Sequence, residues 1–226
     1  MKQGVPLQYI SKTSYFYKSE FFVDQRVLIP RSETEILVEK ACEFVSNSPM
    51  TKMRIAEVGV GTGVIGLSLL QEVENKELYY LGIDISQDAI DVFKVNHFRH
   101  AFKISGDHKV DLQIGDRLEG IEDKFDVIIS NPPYIKEKDD LKLVHKQVKE
   151  FEPHVALFLP DDIYEQWFKD FFSQSNKLLN DGGIFLMEGH ESHLDHLKTL
   201  AQEIFNKSVE VIKDYNDQDR FLSIRN

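Results

Sequence analysis

The chain has 226 residues, 42% of them hydrophobic, and a net charge of −11 because 38 Asp and Glu outnumber 27 Lys and Arg. This length suits one α/β domain with a full core and is cramped for two. The acidity argues against nucleic acid as a partner, since phosphate contacts need clustered Lys and Arg. A single cysteine excludes an internal disulfide framework. Neither a signal segment nor a membrane-length apolar stretch is visible, so we expect a cytoplasmic protein without membrane contacts.

Strands and helices alternate along most of the chain. The aromatic-rich segment from Pro6 to Leu28 predicts a short hairpin or an irregular layer, and residues 31–45 predict an amphipathic helix. The elements predicted after it are, in chain order, a strand over 53–58, a helix over 64–72, a strand over 78–83, a helix from about residue 88, strands over 110–114 and 125–130, a helix over 163–179, a strand over 184–188, a helix over 191–205, and strands over 209–212 and 221–224.

This alternation is typical of an α/β fold with a mostly parallel sheet covered by helices on both faces. The last two predicted strands are close enough in sequence to form an antiparallel pair at one edge. In such folds ligands bind at the carboxyl ends of the parallel strands. We therefore look for functional residues directly after each predicted strand.

The loop after the strand over residues 53–58 has glycines at alternate positions, Gly59, Gly61 and Gly63, which allow a sharp bend and close approach to a ligand. Read literally, residues 61–66 also match the dinucleotide pattern G-x-G-x-x-G. That pattern expects its first glycine immediately after the strand, whereas here the acidic Glu57 comes near the strand end. A carboxylate there suits a ligand with an ammonium group, such as S-adenosylmethionine, better than a pyrophosphate.

Acidic residues also follow the next two strands. Asp84 ends the second strand, where it is placed to accept hydrogen bonds from both ribose hydroxyls, and Asp116 follows the third, placed to meet the adenine with Arg117 beside it. Each acid alone is more often a helix cap or a loop residue. The residues predicted to bind the cofactor are Glu57, Gly59, Val60, Gly61, Thr62, Gly63, Asp84, Asp116, Arg117 and Asn131.

The most informative motif is Asn131-Pro132-Pro133-Tyr134, directly after the apolar run 125–130. Asn131 and Pro132 offer carbonyl oxygens as hydrogen-bond acceptors, neither proline has a backbone donor, and Tyr134 adds a flat ring. This combination predicts a pocket for a planar NH2 group, whose two N–H bonds donate to these oxygens while the ring fixes the plane of the group. The structural alternative is a turn, since Asn-Pro often begins one.

These motifs resemble the HemK/PrmC family of glutamine methyltransferases that modify peptide chain release factors. The similar blocks cover nearly the whole chain and keep the family's order: residues 4–10, 28–35, 57–63, 131–135, 152–153 with 156–157, and 219–220. The resemblance implies a Rossmann-like S-adenosylmethionine-dependent methyltransferase fold with a mostly parallel, seven-stranded sheet and an antiparallel edge pair. We expect residues 1–46 to form a hairpin and helix segment packed on a methyltransferase domain, residues 47–226.

The reaction that the resemblance implies is methyl transfer to the side-chain amide nitrogen of the glutamine in a Gly-Gly-Gln motif of a release factor. Residues 131–134 would hold that amide as the catalytic residues. Arg31, Glu33 and Thr34 match the family's signature before the first helix, and we expect them to close over the site. Phe16 lies in the family-like opening, where a supporting role near the substrate is expected.

The sequence departs from the family's pattern in two places that matter for function. Arg117 stands where a bulky apolar or aromatic residue is common. The family normally carries a helical domain before the block at residues 4–10, where this chain begins. We therefore expect either a truncated chain or substrate recognition that is reduced or supplied by a helper subunit.

Other functions stay open at this point. One alternative is an adenine-specific DNA or RNA methyltransferase, because the exocyclic amine of adenine has a delocalised lone pair like that of an amide. Another is methylation of a glutamine in a different protein. A dinucleotide-dependent oxidoreductase and a catalytically idle binding module share the cofactor fold. The histidine-rich stretch 189–196 invites a metal interpretation, but its histidines drift around a helix and methyl transfer needs no metal, so we expect none.

Overall fold

A computed structural model describes residues 4–226 of the chain. Its α-helices are α1 (Leu7–Ser11), α2 (Glu35–Asn47), α3 (Val64–Glu72), α4 (Gln87–His100), α5 (Lys146–Phe151), α6 (Tyr164–Leu178) and α7 (Glu191–Phe205). Its strands are β1 (Thr13–Phe16), β2 (Ser19–Phe22), β3 (Lys52–Val58), β4 (Glu77–Asp84), β5 (Lys109–Ile114), β6 (Phe125–Ser130), β7 (Ile135–Lys136), β8 (Phe158–Leu159), β9 (Leu179–Glu188), β10 (Val209–Lys213) and β11 (Asp219–Arg225).

The main sheet has seven strands in the order β10-β11-β9-β6-β3-β4-β5. Neighbours from β9 to β5 pair in parallel, and β11 pairs antiparallel with both β9 and β10. The predicted fold class and the antiparallel edge pair are therefore confirmed. The carboxyl ends of β3, β4, β6 and β9 lie along one edge of the sheet, and the loops that follow them build the site.

The central strands are apolar on both sides because helices cover both faces. Every residue of β6 is buried, and so are the last four residues of β3. One core cluster on the first face joins Leu67 of α3 and Phe93 of α4 to Ile55 of the sheet. A second cluster on the other face contains Phe168, Phe172 and Phe205 from α6 and α7. Continuous apolar runs of this kind are expected in parallel strands buried on both faces.

Strand β9 begins earlier than predicted. The structure begins it at Leu179 rather than at residue 184, so Asp181-Gly182-Gly183 lies inside the strand, where the pairing of β6 with β9 shifts register. The backbone there is held by Asn226, whose carbonyl accepts from Gly182 N at 3.0 Å and whose N–H donates to Gly183 O at 2.9 Å. A distant segment supplies these hydrogen bonds, so local sequence could not reveal them.

Helix α2 also begins later than predicted, at Glu35, after a single 3-10 turn over Ser32–Thr34. Arg31 is extended, with φ −103° and ψ 142°, and its guanidinium donates to Glu152 Oε1 at 2.6 Å. This long-range ion pair holds residue 31 outside the helix. Thr34 is consequently turned inward and is buried.

The N-terminal hairpin, β1 and β2, is pinned to the rest of the molecule by Asn96 of α4. The Asn96 side chain is fully buried, accepts from Phe22 N at 2.7 Å, and donates to Phe22 O and to Thr62 O, each at 2.9 Å. Phe16 and Phe21 join the same core cluster as Leu37 of α2 and Ile55 of β3. The core thus continues across residue 46, and the division into two segments there stays a prediction.

Within residues 4–226, none of the helices combines the length and the apolar character that crossing a bilayer requires.

Candidate functional site

Two cavities meet at Asn131. We call residues 59–63 the glycine loop and residues 131–134 the proline loop, and we name each cavity after its loop. The glycine-loop cavity measures about 740 Å³ and the proline-loop cavity about 750 Å³, open mouths included. The walls common to both are Leu28, Arg31, Asn131 and Ala156. Asn131 therefore faces two binding spaces at once, which is the arrangement that a transfer between two molecules requires.

The glycine loop is held in a tight bend by its own backbone. Gly59 N donates to Ile83 O at 2.8 Å, and Gly63 N donates to Val60 O at 2.7 Å. Gly63 has φ +80°, and a Cβ there would lie 2.5 Å from the Phe93 ring. Only glycine combines this backbone conformation with this close contact. The bend leaves Gly59, Val60, Gly61 and Thr62 lining the glycine-loop cavity.

Glu57 lies beneath this loop as a buried acid, with 1% of its surface exposed. Its Oε2 accepts from the Tyr80 hydroxyl at 2.5 Å, whereas Oε1 has no hydrogen-bond partner among residues 4–226. Burial raises the pKa of Glu57 to about 8, although the bond from Tyr80 and the Gly66 amide both favour its charged form. A buried carboxylate oxygen without a partner is costly, which agrees with this raised pKa. A cation entering the cavity would stabilise the ionised form of Glu57.

Asp84 lines the same cavity and also holds the glycine loop. Its Oδ2 accepts from Gly61 N at 3.0 Å and its Oδ1 accepts from Ser86 N at 2.9 Å. Burial raises the pKa of Asp84, while these backbone donors oppose the shift. Each carboxylate oxygen has a second lone pair, so Asp84 can still accept from ligand hydroxyls.

The structure does not bring Asp116 and Arg117 to the wall of the glycine-loop cavity. Their side chains pair with each other, with Arg117 Nη2 donating to Asp116 Oδ2 at 2.6 Å, and Arg117 Nη1 donating to Trp167 O at 3.1 Å. The guanidinium also lies 5.2 Å from the centroid of the Trp167 ring. Contact of this pair with an adenine therefore stays a prediction, and in this conformation the pair binds α6 instead.

The proline loop follows β6 directly. Ser130 is fully buried and its hydroxyl donates to Val58 O at 2.7 Å, which ties the end of β6 to the end of β3. Asn131 Nδ2 donates to Thr34 Oγ1 at 3.1 Å. In the part of the chain that the structure describes, Asn131 Oδ1 and Pro132 O accept no hydrogen bond. Both predicted acceptors are thus available, with Pro132 lining the proline-loop cavity.

Glu188, at the carboxyl end of β9, is a site residue that the sequence analysis missed. It is 2% exposed; its Oε2 accepts from Thr34 Oγ1 at 2.7 Å and its Oε1 accepts from the Tyr134 hydroxyl at 3.2 Å. Burial raises the pKa of Glu188 to about 7, against the opposing effects of these bonds and of the Arg220 charge. Its position at a strand end, like that of Asp84, was the signal that could have identified it.

Tyr134 is held at both ends. Its hydroxyl donates to Glu188, and its backbone carbonyl accepts from the Tyr164 hydroxyl at 3.1 Å. Burial beside Glu188 raises the pKa of Tyr134, so the phenol stays protonated and remains a donor. The proline-loop cavity is also lined by Asp140, Leu143, Val144 and Val148, which lie outside every segment named from the sequence, and by Ile135, Leu157 and His190, which lie inside such segments.

The segment before α2 contributes unequally to the site. Arg31 lines both cavities and is fixed by Glu152, whose Oε2 also accepts from Ile29 N at 3.0 Å. Thr34 lines the glycine-loop cavity, whereas Glu33 lies outside both linings and its side chain accepts from its neighbour Ser32 at 3.2 Å. Phe16 is 2% exposed in the core and lines neither cavity. The structure therefore brings Arg31 and Thr34 to the site but not Glu33 or Phe16.

The histidine-rich stretch lies beside the proline-loop cavity. His193 Nε2 lies 2.7 Å from Asp140 Oδ2, and His190 Nδ1 accepts from Ser192 N at 3.2 Å at the start of α7. Among the described residues, no group of three or more His, Cys, Asp or Glu is arranged to hold a metal ion.

Residues 34–155 match the family model described as Methyltransferase small domain. A release factor glutamine methyltransferase of Chlorobaculum tepidum is 33% identical over 229 residues, which cover 98% of this chain and 74% of the relative. The protein of the same name from Clostridium acetobutylicum is 35% identical, covering 98% of this chain and 75% of the relative. That from Flavobacterium psychrophilum is 30% identical, covering 99% and 76%.

Solved structures share the fold at low identity. A methyltransferase of Pyrococcus furiosus superposes with a TM-score of 0.58 at 16% identity, covering 91% of this chain and 87% of that one. A 16S rRNA methyltransferase of Thermus thermophilus, in complex with AdoMet and guanosine, superposes with a TM-score of 0.62 at 15% identity. It covers 94% of this chain and 49% of that one. Both likenesses concern the fold alone.

Proposed function

The chain belongs to the release factor glutamine methyltransferase family, and we propose that it transfers a methyl group from S-adenosylmethionine to the side-chain amide nitrogen of a release factor glutamine, the glutamine of a Gly-Gly-Gln motif. The observation that carries the proposal is the position of Asn131 in the wall of both cavities, with its side-chain oxygen available. One cavity then takes the cofactor and the other takes the glutamine.

The residues of the glycine-loop cavity fit S-adenosylmethionine. Glu57 Oε1, buried and without a partner among residues 4–226, suits the ammonium of the methionine part. Asp84 would accept hydrogen bonds from the ribose hydroxyls, and the glycine loop allows close approach of the ligand. When bound, the cofactor supplies an electrophilic methyl group on a positively charged sulfur.

The proline-loop cavity prepares the nucleophile. An amide nitrogen reacts poorly because its lone pair is delocalised into the carbonyl. Asn131 Oδ1 and Pro132 O would each accept one N–H of the glutamine amide, which fixes the direction of the nitrogen, and Tyr134 would fix its plane. With the cofactor bound, the new N–C bond would form as the bond between its sulfur and the methyl carbon breaks. The amide then loses a proton to water, since an N-protonated amide is a strong acid.

The proposed function is tested by intact-mass and fragment analysis of a release factor incubated with the purified chain and the methyl donor. We expect a gain of one methyl group on the glutamine. Nucleic acid is offered in a parallel reaction with labelled donor, and label in nucleic acid alone would favour an adenine methyltransferase instead. Turnover of the release factor by the chain alone would also make the expected helper subunit unnecessary.

The variant Asn131→Ala connects the reaction to the site. We expect turnover to fall at least about a hundredfold, the usual effect of removing one oriented polar group from a reacting centre. Binding of S-adenosylmethionine, measured by calorimetry, should be largely retained. The matched control is Asn176→Ala, which removes a comparable bond from Asn176 Nδ2 to Ile204 O at 3.1 Å, outside both cavity linings. Equal turnover in the two variants would remove Asn131 from the mechanism.

A further inference from the structure

The orientation of the Asn131 amide decides whether the site can work. An asparagine side chain presents a carbonyl oxygen at one end and an NH2 group at the other. The substrate amide that the proposed function assigns to this site also presents an NH2 group. If Asn131 were turned by 180°, two sets of donors would face each other and the substrate would be repelled. Something must therefore hold the Asn131 oxygen toward the proline-loop cavity.

The Thr34 hydroxyl is the only partner of the Asn131 side chain among the hydrogen bonds of residues 4–226, at 3.1 Å. A hydroxyl has one proton, which it can donate once, and two lone pairs. By itself it could donate to the Asn131 oxygen or accept from the Asn131 NH2 group. Thr34 therefore fixes the amide only if its own proton is already committed elsewhere.

Glu188 commits that proton. Its Oε2 lies 2.7 Å from Thr34 Oγ1, and an ionised carboxylate can only accept. The Thr34 hydroxyl then has only lone pairs left for Asn131, so Asn131 must present Nδ2 to it and Oδ1 to the other side. Glu188 is in turn held through Oε1 by the Tyr134 hydroxyl at 3.2 Å. The donors thus run in one direction, from Asn131 to Thr34 to Glu188.

We propose that Thr34 and Glu188 are positioning residues that fix the side-chain oxygen of Asn131 toward the substrate amide. The proposal rests on the proposed function for its effect on catalysis, but the orientation itself is a property of the free protein. Burial raises the pKa of Glu188 to about 7, whereas the Thr34 hydroxyl, the positive charge of Arg220 and the Tyr134 hydroxyl favour the ionised form that this arrangement requires, so that form prevails above about pH 7. Burial of Thr34 and Glu188 protects both bonds from competing water.

Two substitutions at position 34 separate the hydroxyl from the shape of the side chain. Thr34→Val keeps the volume and removes the hydroxyl, whereas Thr34→Ser keeps the hydroxyl. We expect Thr34→Val to lower kcat about tenfold or more, with cofactor affinity within about threefold of the parent chain. Thr34→Ser should restore most of the loss. Equal kcat for Thr34→Val and the parent chain would overturn the proposal, as would a loss that Thr34→Ser does not repair.

Glu188→Gln tests the direction of the donors. Because the Tyr134 hydroxyl donates to Oε1, the glutamine oxygen should take that place and its NH2 group should face Thr34. The Thr34 proton is then free for the Asn131 oxygen, and the amide turns. We expect kcat to fall as far as in Thr34→Val. The double variant Thr34→Val with Glu188→Gln should have a kcat no lower than that of either single variant. Additive losses would overturn the proposal because the two residues would then act separately.

A measurement on the free protein keeps this test independent of the reaction. In nuclear magnetic resonance of chains labelled with 15N at asparagine, the Asn131 NH2 signal is identified by its loss in Asn131→Asp. We expect its protons to exchange slowly with solvent in the parent chain and in Thr34→Ser, and rapidly in Thr34→Val. Slow exchange in Thr34→Val would overturn the proposal. If the parent chain failed to methylate a release factor, the proposed function would fail, and this exchange would still decide the orientation.

Discussion

The two cavities that meet at Asn131 are built in different ways. The two acids of the glycine-loop cavity, Glu57 and Asp84, lie near the ends of the neighbouring strands β3 and β4, and the glycine loop follows the first of these strands. The proline-loop cavity brings together Arg31 from near the start of the chain, Tyr134 from its middle and Arg220 from near its end. The first is a local device that presents one buried acid to a cation. The second is a long-range network whose members orient one another.

This difference predicts which property is lost when each cavity is damaged. Damage to the glycine loop should lower cofactor affinity and leave the geometry of the proline loop intact. Damage to the network should lower turnover and leave cofactor affinity intact.

Gly63→Ala should have the largest effect, and on the glycine-loop side. The added Cβ would lie 2.5 Å from the Phe93 ring at φ +80°, so the loop or α4 must move. We expect a loss of about 2–4 kcal/mol in the free energy of unfolding and at least about a tenfold loss of cofactor affinity. Chemical unfolding and calorimetry measure the two.

The control for Gly63→Ala is Gly120→Ala. Gly120 has φ +74°, but its Cβ would meet no atom within 4 Å. It should cost only about 1 kcal/mol of backbone strain, with unchanged cofactor affinity. If both variants bound the cofactor equally well, the close packing of the glycine loop would not matter for binding.

Glu57→Gln should affect affinity and stability in opposite directions. Removing the carboxylate that suits the cofactor ammonium should weaken binding about tenfold. Because burial raises the pKa of Glu57 from 4.5 to about 8, the folded protein holds a proton that the unfolded chain releases. The parent chain should therefore lose stability as pH rises from about 4.5 to 8.

The stability difference is measured by urea unfolding of the free protein at pH 5 and pH 8. The free energy of unfolding of Glu57→Gln, relative to that of the parent chain, should rise by on the order of 2–4 kcal/mol from pH 5 to pH 8. Glu188 contributes a loss of the same sign up to about pH 7 in both proteins, so it cancels in the comparison. Parallel pH curves for the two proteins would show that Glu57 is not the group responsible.

Tyr134→Phe should produce a smaller change, confined to the proline-loop side. It keeps the ring that faces the substrate cavity and removes the hydroxyl that donates to Glu188 at 3.2 Å. We expect about a threefold to tenfold loss of kcat, which corresponds to one ordinary hydrogen bond of about 0.5–1.5 kcal/mol. Cofactor affinity should not change. An equal loss in cofactor affinity would mean that the two cavities are more strongly coupled than their construction suggests.

Arg117→Ala should have the smallest effect on function. The side chain pairs with Asp116 and lies on Trp167, so its removal should cost about 1 kcal/mol of stability. Cofactor affinity should stay within about twofold. A tenfold loss of affinity would instead support the adenine contact expected from the sequence, and would require this side chain to leave Trp167.

The sequence also predicted the two cavities unequally, because local features can be recognised from consecutive residues and long-range contacts cannot. The helices over Val64–Glu72 and Glu191–Phe205 and the strand over Phe125–Ser130 were predicted with their observed bounds, because each is apolar with a regular period and is bounded by turn residues. The glycine loop was recognised because its signal is local. The one local signal of Glu188 was its position at a strand end, and nothing beside it in the sequence marks it as a partner of Thr34.

Errors in the predicted bounds have the same origin. The start of α2 and the extent of β9 both depend on residues far along the chain, Glu152 in one case and Asn226 in the other. Phe16 illustrates a third case, because its place in a family-like block suggested a role near the substrate. Its burial in the core was decided by packing against β2, where the centroids of the Phe16 and Phe21 rings lie 6.3 Å apart.

The sequence by itself determined the α/β architecture, the glycine bend with an acid at the strand end before it, and the proline loop with its two carbonyl acceptors. Each of these is written in consecutive residues, where period, backbone restriction and side-chain chemistry act locally. Only the tertiary structure decided that Asn131 is shared by two cavities and that Thr34 and Glu188 hold its amide. The hydrogen bond between Asn131 and Thr34 spans 97 positions of the sequence, and that between Thr34 and Glu188 spans 154. The direction of these bonds depends on burial, which arises only when the chain is folded.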